Sequence, residues 1–434
     1  MNKKLHIVSL GCTKNLVDTE VMMGKLKDYK LTQESDDADV IIVNTCGFID
    51  AAKEESINTM LELDSKRKDD STLVMAGCLS ERYKDDLQKE LTEVDLFTGV
   101  GDYDKIDELI AKKENRFSHS TFLVSEQERI ITGSSSHAYI KIAEGCNQTC
   151  SFCAIPSFKG KLFSRNLESI VKELQNLIKK GYYDFSFVAQ DSSSYGRDNG
   201  LSDGLISLIE EVEKIEGIKS ARILYLYPST TSLNLIEKIG ESKIFHNYFD
   251  MPIQHINDAM LKRMKRGFGK EKTIELLNAM KALPNSFVRT SVIVGHPRES
   301  DEEFNEMTQF LEEFKFDRLN IFAYSDEEDT ASFDMQEKID EETMQNRLDK
   351  LQELSSTLLE ENLQNLIGTE LEIIIDGQSD EHEYLLSARA LNWAPEIDGE
   401  IYVNDTNEKN ITYASVYKAR ITEIAGDKPL ATLL

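Results

Sequence analysis

The sequence predicts an α/β chain in three parts: an N-terminal parallel-sheet α/β domain, a central partial (βα)6 barrel and a small antiparallel β barrel at the C-terminus. Three observations carry this. Short apolar runs alternate with helix-patterned segments over residues 1–122. After a polar stretch, six further strand–helix units occupy residues 132–363. From residue 366 to 434 the apolar period falls to two.

In the first part, Leu5–Leu10, Val40–Val43 and Leu73–Ala76 read as strands, and Asn15–Leu26 and Ala51–Lys66 as helices. Such alternation argues for a parallel sheet covered by helices. Thr132 to His137 is a polar run and reads as a linker. The barrel strands are expected at Ala138–Ala143, Phe185–Ala189, Ile223–Leu226, Tyr248–Met251, Val288–Val294 and Leu319–Ala323. Leu167, Ile170, Val171, Leu174, Leu177 and Ile178 fall on one helical face between the first two. Residues 337–367 read as a charged helical connection. Beyond it, Leu371, Ile373 and Ile375 alternate with acidic residues, as Tyr417, Ala419 and Ile421 alternate with polar ones.

The 434 residues carry 50 Lys and Arg against 78 Asp and Glu, a formal charge of −28. A protein that grips RNA phosphates usually presents a basic field, so this balance speaks against direct RNA binding. It suits either a simply soluble chain or a basic partner. No apolar run is long enough to span a bilayer, and the opening residues read as a strand rather than a signal peptide. The expectation is a cytoplasmic protein without a membrane role. Thiols stay reduced there, so the six cysteines need a purpose other than disulfides.

Those cysteines form two sets. Cys146, Cys150 and Cys153 make a C-x3-C-x2-C run just after the first barrel strand, in the loop region where barrels place their chemistry. Three thiolates can hold three irons of a cubic cluster and leave the fourth open to a ligand. A zinc knuckle completed from a distance is the alternative, although paired C-x2-C units would be its usual form. Cys12, Cys46 and Cys78 each follow a strand of the first domain. The carboxyl ends of parallel strands share one crevice, so three cysteines distant in sequence are expected to converge there. The alternative is packing as small hydrophobes.

The C-x3-C-x2-C spacing, with Phe152 before its last cysteine, resembles the signature of the radical S-adenosylmethionine (SAM) superfamily. Combined with the three-cysteine first domain and the terminal barrel, the whole chain resembles the methylthiotransferases, whose terminal barrel is a TRAM domain. The resemblance implies a radical SAM core at 132–363, an N-terminal methylthiotransferase domain at 1–122 and a TRAM domain at 366–434. It further implies two [4Fe–4S] clusters and two SAM molecules per turnover. One SAM would methylate a sulfur on the auxiliary cluster. The other would yield an adenosyl radical that takes a hydrogen from the target carbon, which then captures the methylthio group.

One branch of that family modifies a tRNA adenosine; the other modifies the β-carbon of an aspartate in small-subunit ribosomal protein twelve. Ser9-Leu10-Gly11-Cys12-Thr13-Lys14-Asn15, Asn44-Thr45-Cys46-Gly47-Phe48-Ile49 and Ala154-Ile155-Pro156-Ser157-Phe158-Lys159-Gly160 resemble the ribosomal branch, as do Val294 to Pro297 and Tyr324 to Thr330. Lys159 departs from the arginine common there, and no role is assigned to it. Residues 366–434 hold 13 acidic and 5 basic residues, which suits a basic ribosomal protein, free or in the ribosome, better than RNA.

The implied ligands are Cys146, Cys150 and Cys153 for the SAM cluster and Cys12, Cys46 and Cys78 for the auxiliary one. Phe152, Gln190, Asp191, Val294 and Gly295 are expected at the SAM pocket by the same resemblance. No catalytic residue is expected beyond the cluster ligands, and Gln254, His255 and His296 at strand ends have no assigned role. An electron donor and a sulfur source are also implied. The competing readings are a tRNA methylthiotransferase and a non-catalytic iron–sulfur or zinc protein.

Overall fold

The computed structural model describes residues 3–118, 129–405 and 410–434; the expected domain boundary at residue 122 lies outside them. The first sheet contains β1 (Lys4–Ser9), β2 (Lys30–Leu31), β3 (Val40–Thr45), β4 (Thr72–Gly77) and β5 (Leu96–Phe97). Its order is β2-β1-β3-β4-β5, and every pairing is parallel. Val40 to Thr45 is buried throughout, as a strand covered on both faces must be. Helices α1 (Thr13–Lys25), α2 (Asp50–Lys66) and α3 (Cys78–Arg82) start where β1, β3 and β4 end. The strand order reverses between β1 and β3, and ligands of open α/β sheets bind at such a crevice.

The second unit follows with β6 (His137–Lys141), a small hairpin of β7 (Ala143–Glu144) and β8 (Phe163–Ser164), then β9 (Asp184–Val188), β10 (Ser220–Ile223), β11 (Phe245–Asp250), β12 (Phe287–Val294) and β13 (Arg318–Ala323). Its open sheet runs β13-β12-β11-β10-β9-β6, all parallel. Two local expectations change. The linker ends before His137, whose buried ring already packs edge-on to Tyr139 at 4.7 Å. Strand β10 stops at Ile223, because Tyr225 takes a left-handed φ of 61° and turns the chain into a loop.

The charged segment expected as a connection is instead part of the barrel wall. Helix α4 (Glu341–Gln364) buries Leu351 and Leu358 in the main barrel core, with Leu348 and Leu354 partly buried beside them. These leucines make one helical stripe that the surrounding charges obscure. Among the described residues, no helix is long and apolar enough to cross a membrane.

The last unit is a closed barrel of β14 (Glu370–Gln378), β15 (Leu386–Ala390), β16 (Ile401–Asp405), β17 (Ser415–Ala425) and β18 (Lys428–Leu433). Four of its pairings are antiparallel, and the β16–β18 pair that closes it is parallel. Side-chain alternation is the same for either direction, so it could not reveal that pair.

This small barrel seals the amino-terminal end of the large one. Asp184 at the start of β9 takes Arg222 at 2.7 Å and Arg389 of β15 at 2.8 Å. Arg222 also donates to the Leu391 carbonyl at 2.7 Å, and the Tyr139 hydroxyl donates to that of Pro395 at 2.9 Å. Trp393 packs on Phe287, with Arg318 5.1 Å above its ring.

Three histidines in this frame, His137 and His296 buried and His246 half-buried, favour the neutral form. Burial pushes His246 and His296 down to about 4 and His137 well below the ordinary value. Their unfolded value is about 6.5, so their contribution to stability is complete above that pH and lost as pH falls from about 6.5 towards 4. Each can cost up to about 1.4 kcal/mol per pH unit in that window. The urea midpoint is therefore expected to drop between pH 7 and 5. His246→Gln should shrink that drop, and an unchanged drop would remove His246 from the account.

Candidate functional site

All six cysteines are free, and all six line one cavity of about 440 Å³ between the first domain and the open barrel. The carboxyl ends of β1, β3 and β4 bring Cys12, Cys46 and Cys78 together. A polar clip holds the three loops. Asn15 donates to the carbonyls of Leu10 and Thr45, both at 3.1 Å, and Asn44 donates to the Asn15 carbonyl at 2.8 Å. Gly11, at a φ of 82°, passes so close that a Cβ there would lie 2.8 Å from the Cys46 sulfur. The Cys78 thiol donates to Asn15 Oδ1 at 3.5 Å.

The second set lies in the loop after β7. Cys146 N donates to the Gly160 carbonyl at 3.1 Å, and Gly145 is pressed so tightly on Lys161 that no side chain fits. Cys150 Sγ lies 3.2 Å from the Tyr227 hydroxyl and accepts from Arg266 at 3.3 Å. Burial pushes the Cys78, Cys146 and Cys153 thiols up to about 12 and raises Cys46 as well. A metal centre must displace those protons to bind. Among the described residues, no three His, Cys, Asp or Glu side chains close on a single ion. The two sets instead face a shared space, with three thiols in each.

The cavity also holds buried acceptors that lack partners. Gln190 Oε1 and Gln254 Oε1 make no hydrogen bond among the described residues, although both residues line it. Gln254 sits at a φ of 69° and Tyr225 at 61°. Left-handed conformations of this kind cost about 1–3 kcal/mol and gather at functional sites. An unoccupied acceptor and a strained strand end are what a bound polar cosubstrate would use.

Of the side chains expected at the SAM pocket, Phe152 and Gln190 line the cavity. Asp191, Val294 and Gly295 lie behind its lining. Asp191 is 1% exposed and accepts from Gln148 at 2.8 Å and from the Ser194 backbone at 3.1 Å, so it ties loops together. Val294 is wholly in the core, and Gly295 donates its N–H to Glu299 at 2.8 Å. His255 and His296 are also behind the lining. His255 Nδ1 accepts from the N–H groups of Ile256 and Asn257, and His296 Nε2 meets the hydroxyls of Ser151 and Ser332.

Sequence reasoning missed several cavity groups. Lys159 is buried 3.4 Å from Glu144 and 3.5 Å from Asp18, which also takes Lys141 at 2.5 Å. This cluster joins α1 of the first domain to the barrel. Glu327 performs a similar task at the other side, taking Lys53 at 2.9 Å and Arg82 at 2.6 Å. Lys14 rests 3.4 Å from the centroid of the Tyr225 ring. Burial opposes its charge, yet Tyr225, Cys12 and Glu144 hold its pKa above the usual lysine value. Its position two residues after Cys12 was the only signal in the sequence for Lys14.

Comparison with known proteins adds three matches along the chain. Residues 4–99 match an uncharacterized protein family, UPF0004; residues 140–311 match the radical SAM superfamily; residues 367–432 match the TRAM domain. The chain is 63% identical over 433 residues to the ribosomal protein uS12 methylthiotransferase RimO of Sulfurimonas denitrificans, covering 100% of this chain and 99% of that one. It is 55% identical over 432 residues to the protein of that name from Campylobacter jejuni, covering 99% and 98%. Among solved structures, the radical SAM methyltransferase TsrM from Kitasatospora setae, with tryptophan and a SAM analog bound, superposes with a TM-score of 0.55 at 12% identity. That match covers 74% of this chain and 72% of TsrM, and at this identity it speaks to the fold.

Proposed function

The chain belongs to the RimO family of ribosomal protein uS12 methylthiotransferases, and from that premise we propose that its cysteine-lined cavity adds a methylthio group to the β-carbon of an aspartate in uS12. The observation that carries this reading is the meeting of two three-thiol sets on one cavity. Two [4Fe–4S] clusters and SAM, when bound, would relay the electron from a donor, supply the radical chemistry and the methyl group, and carry the sulfur delivered by a sulfur source.

The residues have separable tasks. Cys146, Cys150 and Cys153 hold the cluster that takes SAM; Cys12, Cys46 and Cys78 hold the auxiliary one. Arg266 and the Tyr227 hydroxyl bracket the Cys150 sulfur, and such contacts tune a cluster's potential. Phe152 and Gln190 orient the cosubstrate, with Asp191, Val294 and Gly295 supporting the loops behind them. The Lys141–Asp18–Lys159–Glu144 cluster and the Glu327 clamp keep the two thiol sets at a constant separation and close the sides to water. We assign residues 1–122, 132–363 and 366–434 to the three functional units. A sulfur source and an electron donor act with the enzyme, and a ribosomal substrate supports a cytoplasmic location. The acidic terminal barrel favours contact with a basic protein over direct RNA binding.

The test rebuilds both clusters anaerobically and supplies reductant, SAM and sulfide. A uS12 loop peptide and unmodified tRNA are then followed by mass spectrometry. A methylthio group on the peptide aspartate is the expected result. Product on tRNA alone would overturn the substrate assignment.

A further inference from the structure

The open sheet of the second unit ends in two outer edges, β6 and β13, and only one of them is covered. At β6 the outward backbone groups have partners. His137 N–H donates to Ser134 Oγ at 3.0 Å, the Tyr139 carbonyl accepts from Arg129, and the Lys141 carbonyl accepts from Arg165 at 3.4 Å. Helix α1 of the first domain packs against the same strand. The β13 edge is answered only at its start, where Asn362 donates to the Phe316 carbonyl at 2.9 Å and Ser355 to that of Leu319 at 2.8 Å. Further along, Val292 lies opposite Ile321 and Val294 opposite Ala323, and the Tyr324 N–H donates to the Val294 carbonyl at 2.8 Å. In a parallel pair that register turns the N–H and C=O of both Ile321 and Ala323 away from β12. No group among the described residues bonds these two donors and two acceptors. An edge left open in this way is a template for another chain.

Two further observations say what the edge receives. A groove of about 450 Å³ runs beside it, between Leu319–Phe322 and Gln352, Ser355 and Ser356 of α4. This groove shares Asn320 and Phe322 with the cysteine cavity, which Ala323 also lines, so a chain laid along the edge is led into the cavity. Successive side chains of a strand point to opposite faces. Leu319 and Ile321 pack with the barrel core, whereas Asn320 and Phe322 line the cavity, so every second side chain of an added strand would face the cavity too. Phe322 is 48% exposed and offers such a neighbour an apolar contact. The surroundings are acidic. Helix α4 carries exposed Asp349, Glu353 and Glu360 against one exposed cation, Lys350, and the loop leaving β13 adds exposed Asp326, Glu328 and Asp329. That field suits a segment of a basic protein.

We propose that the uS12 segment bearing the target aspartate docks as an extra strand on the β13 edge, bonding Ile321 and Ala323 through its backbone and turning the aspartate side chain into the cavity. This rests on the reading of uS12 as the substrate. The main-chain bonds set the register, and a slip of one residue would turn the aspartate towards α4 instead.

The test uses the cluster-loaded enzyme without reductant and a fluorescent uS12 loop peptide carrying the target aspartate. Deuterium exchange is followed by mass spectrometry on the fragment Phe316–Ser325. Two of its amides should exchange about tenfold more slowly when the peptide is saturating, as expected for each main-chain bond gained. A set of peptides, each N-methylated at a single backbone nitrogen, is then titrated by anisotropy. Affinity should fall by about tenfold at two alternate positions and stay within about twofold at the position between them, because only every second N–H points at the edge. Unchanged exchange in that fragment, or losses on N-methylation that do not alternate, overturns the proposal. So does slow exchange of the same two amides in peptide-free enzyme that sediments as a dimer, which would give the edge to a second copy of this chain. Failure of the unmethylated peptide to gain a methylthio group in the mass-spectrometric assay would instead sink the functional reading on which the docking rests.

Discussion

Cys150→Ala is expected to abolish SAM cleavage and methylthio transfer together, whereas Cys78→Ala abolishes transfer and leaves reductive SAM cleavage in place. The two thiol sets are built by different units: one by the loop after β7, the other by the ends of β1, β3 and β4. Losing a ligand in one leaves the hydrogen-bonded frame of the other intact. Asn15 and Asn44 hold the first domain's loops without using the barrel, and Tyr227 and Arg266 hold Cys150 without using the first domain. Iron should fall from about eight to about four atoms per chain in either variant, by loss of one cubic cluster. The checks are iron and sulfide analysis, chromatography of 5′-deoxyadenosine, and mass spectrometry of the peptide. Full transfer by Cys78→Ala would refute the auxiliary assignment. Loss of SAM cleavage in the same variant would show that the sets are not independent.

The second large effect concerns stability. Asp184→Ala should destabilise the protein by about 3–5 kcal/mol, the usual consequence of stripping a buried ion pair of one partner. Its carboxylate is wholly buried between Arg222, also wholly buried, and Arg389 of the terminal barrel. These guanidiniums hold the Asp184 carboxyl well below the usual range, against its burial. Removing it leaves Arg222 without a carboxylate among the described residues, and Arg389 with Asp376 alone at 3.2 Å, where the terminal barrel seals the large one. Urea unfolding at pH 7 should show the lower midpoint, and limited proteolysis should cut first between 364 and 370. SAM cleavage per folded molecule should be unchanged, because Asp184 lies at the strand end opposite the cysteines. A loss below about 1 kcal/mol would mean that water or rearrangement satisfies the two arginines.

Much of this was legible in the chain because the signals are short-range. A C-x3-C-x2-C loop is a local property, and the strand-then-cysteine pattern at Cys12, Cys46 and Cys78 repeats over a few residues each time. The parallel-sheet rule then brings the three ends together without any knowledge of packing. Apolar period also separated the two α/β units from the terminal barrel. For Glu341–Gln364 it marked a helix but hid its place in the barrel wall, because the four leucines of the buried stripe are outnumbered by charges.

What the sequence alone determined is the set of chemical groups and the elements that carry them: six thiols, two α/β sheets and a closed barrel. Tertiary structure decided which charges are answered. Lys14 settles on the Tyr225 ring while Lys159 finds two carboxylates, and Asp191 is drawn into loop hydrogen bonds while Gln190 Oε1 has no partner among the described residues. The partners that settle these outcomes stand tens to hundreds of residues away, as Asp18 does from Lys141 and Arg389 from Asp184. Pairing of buried charges depends on distance in space and on the exclusion of water, and neither is written in the local order of residues.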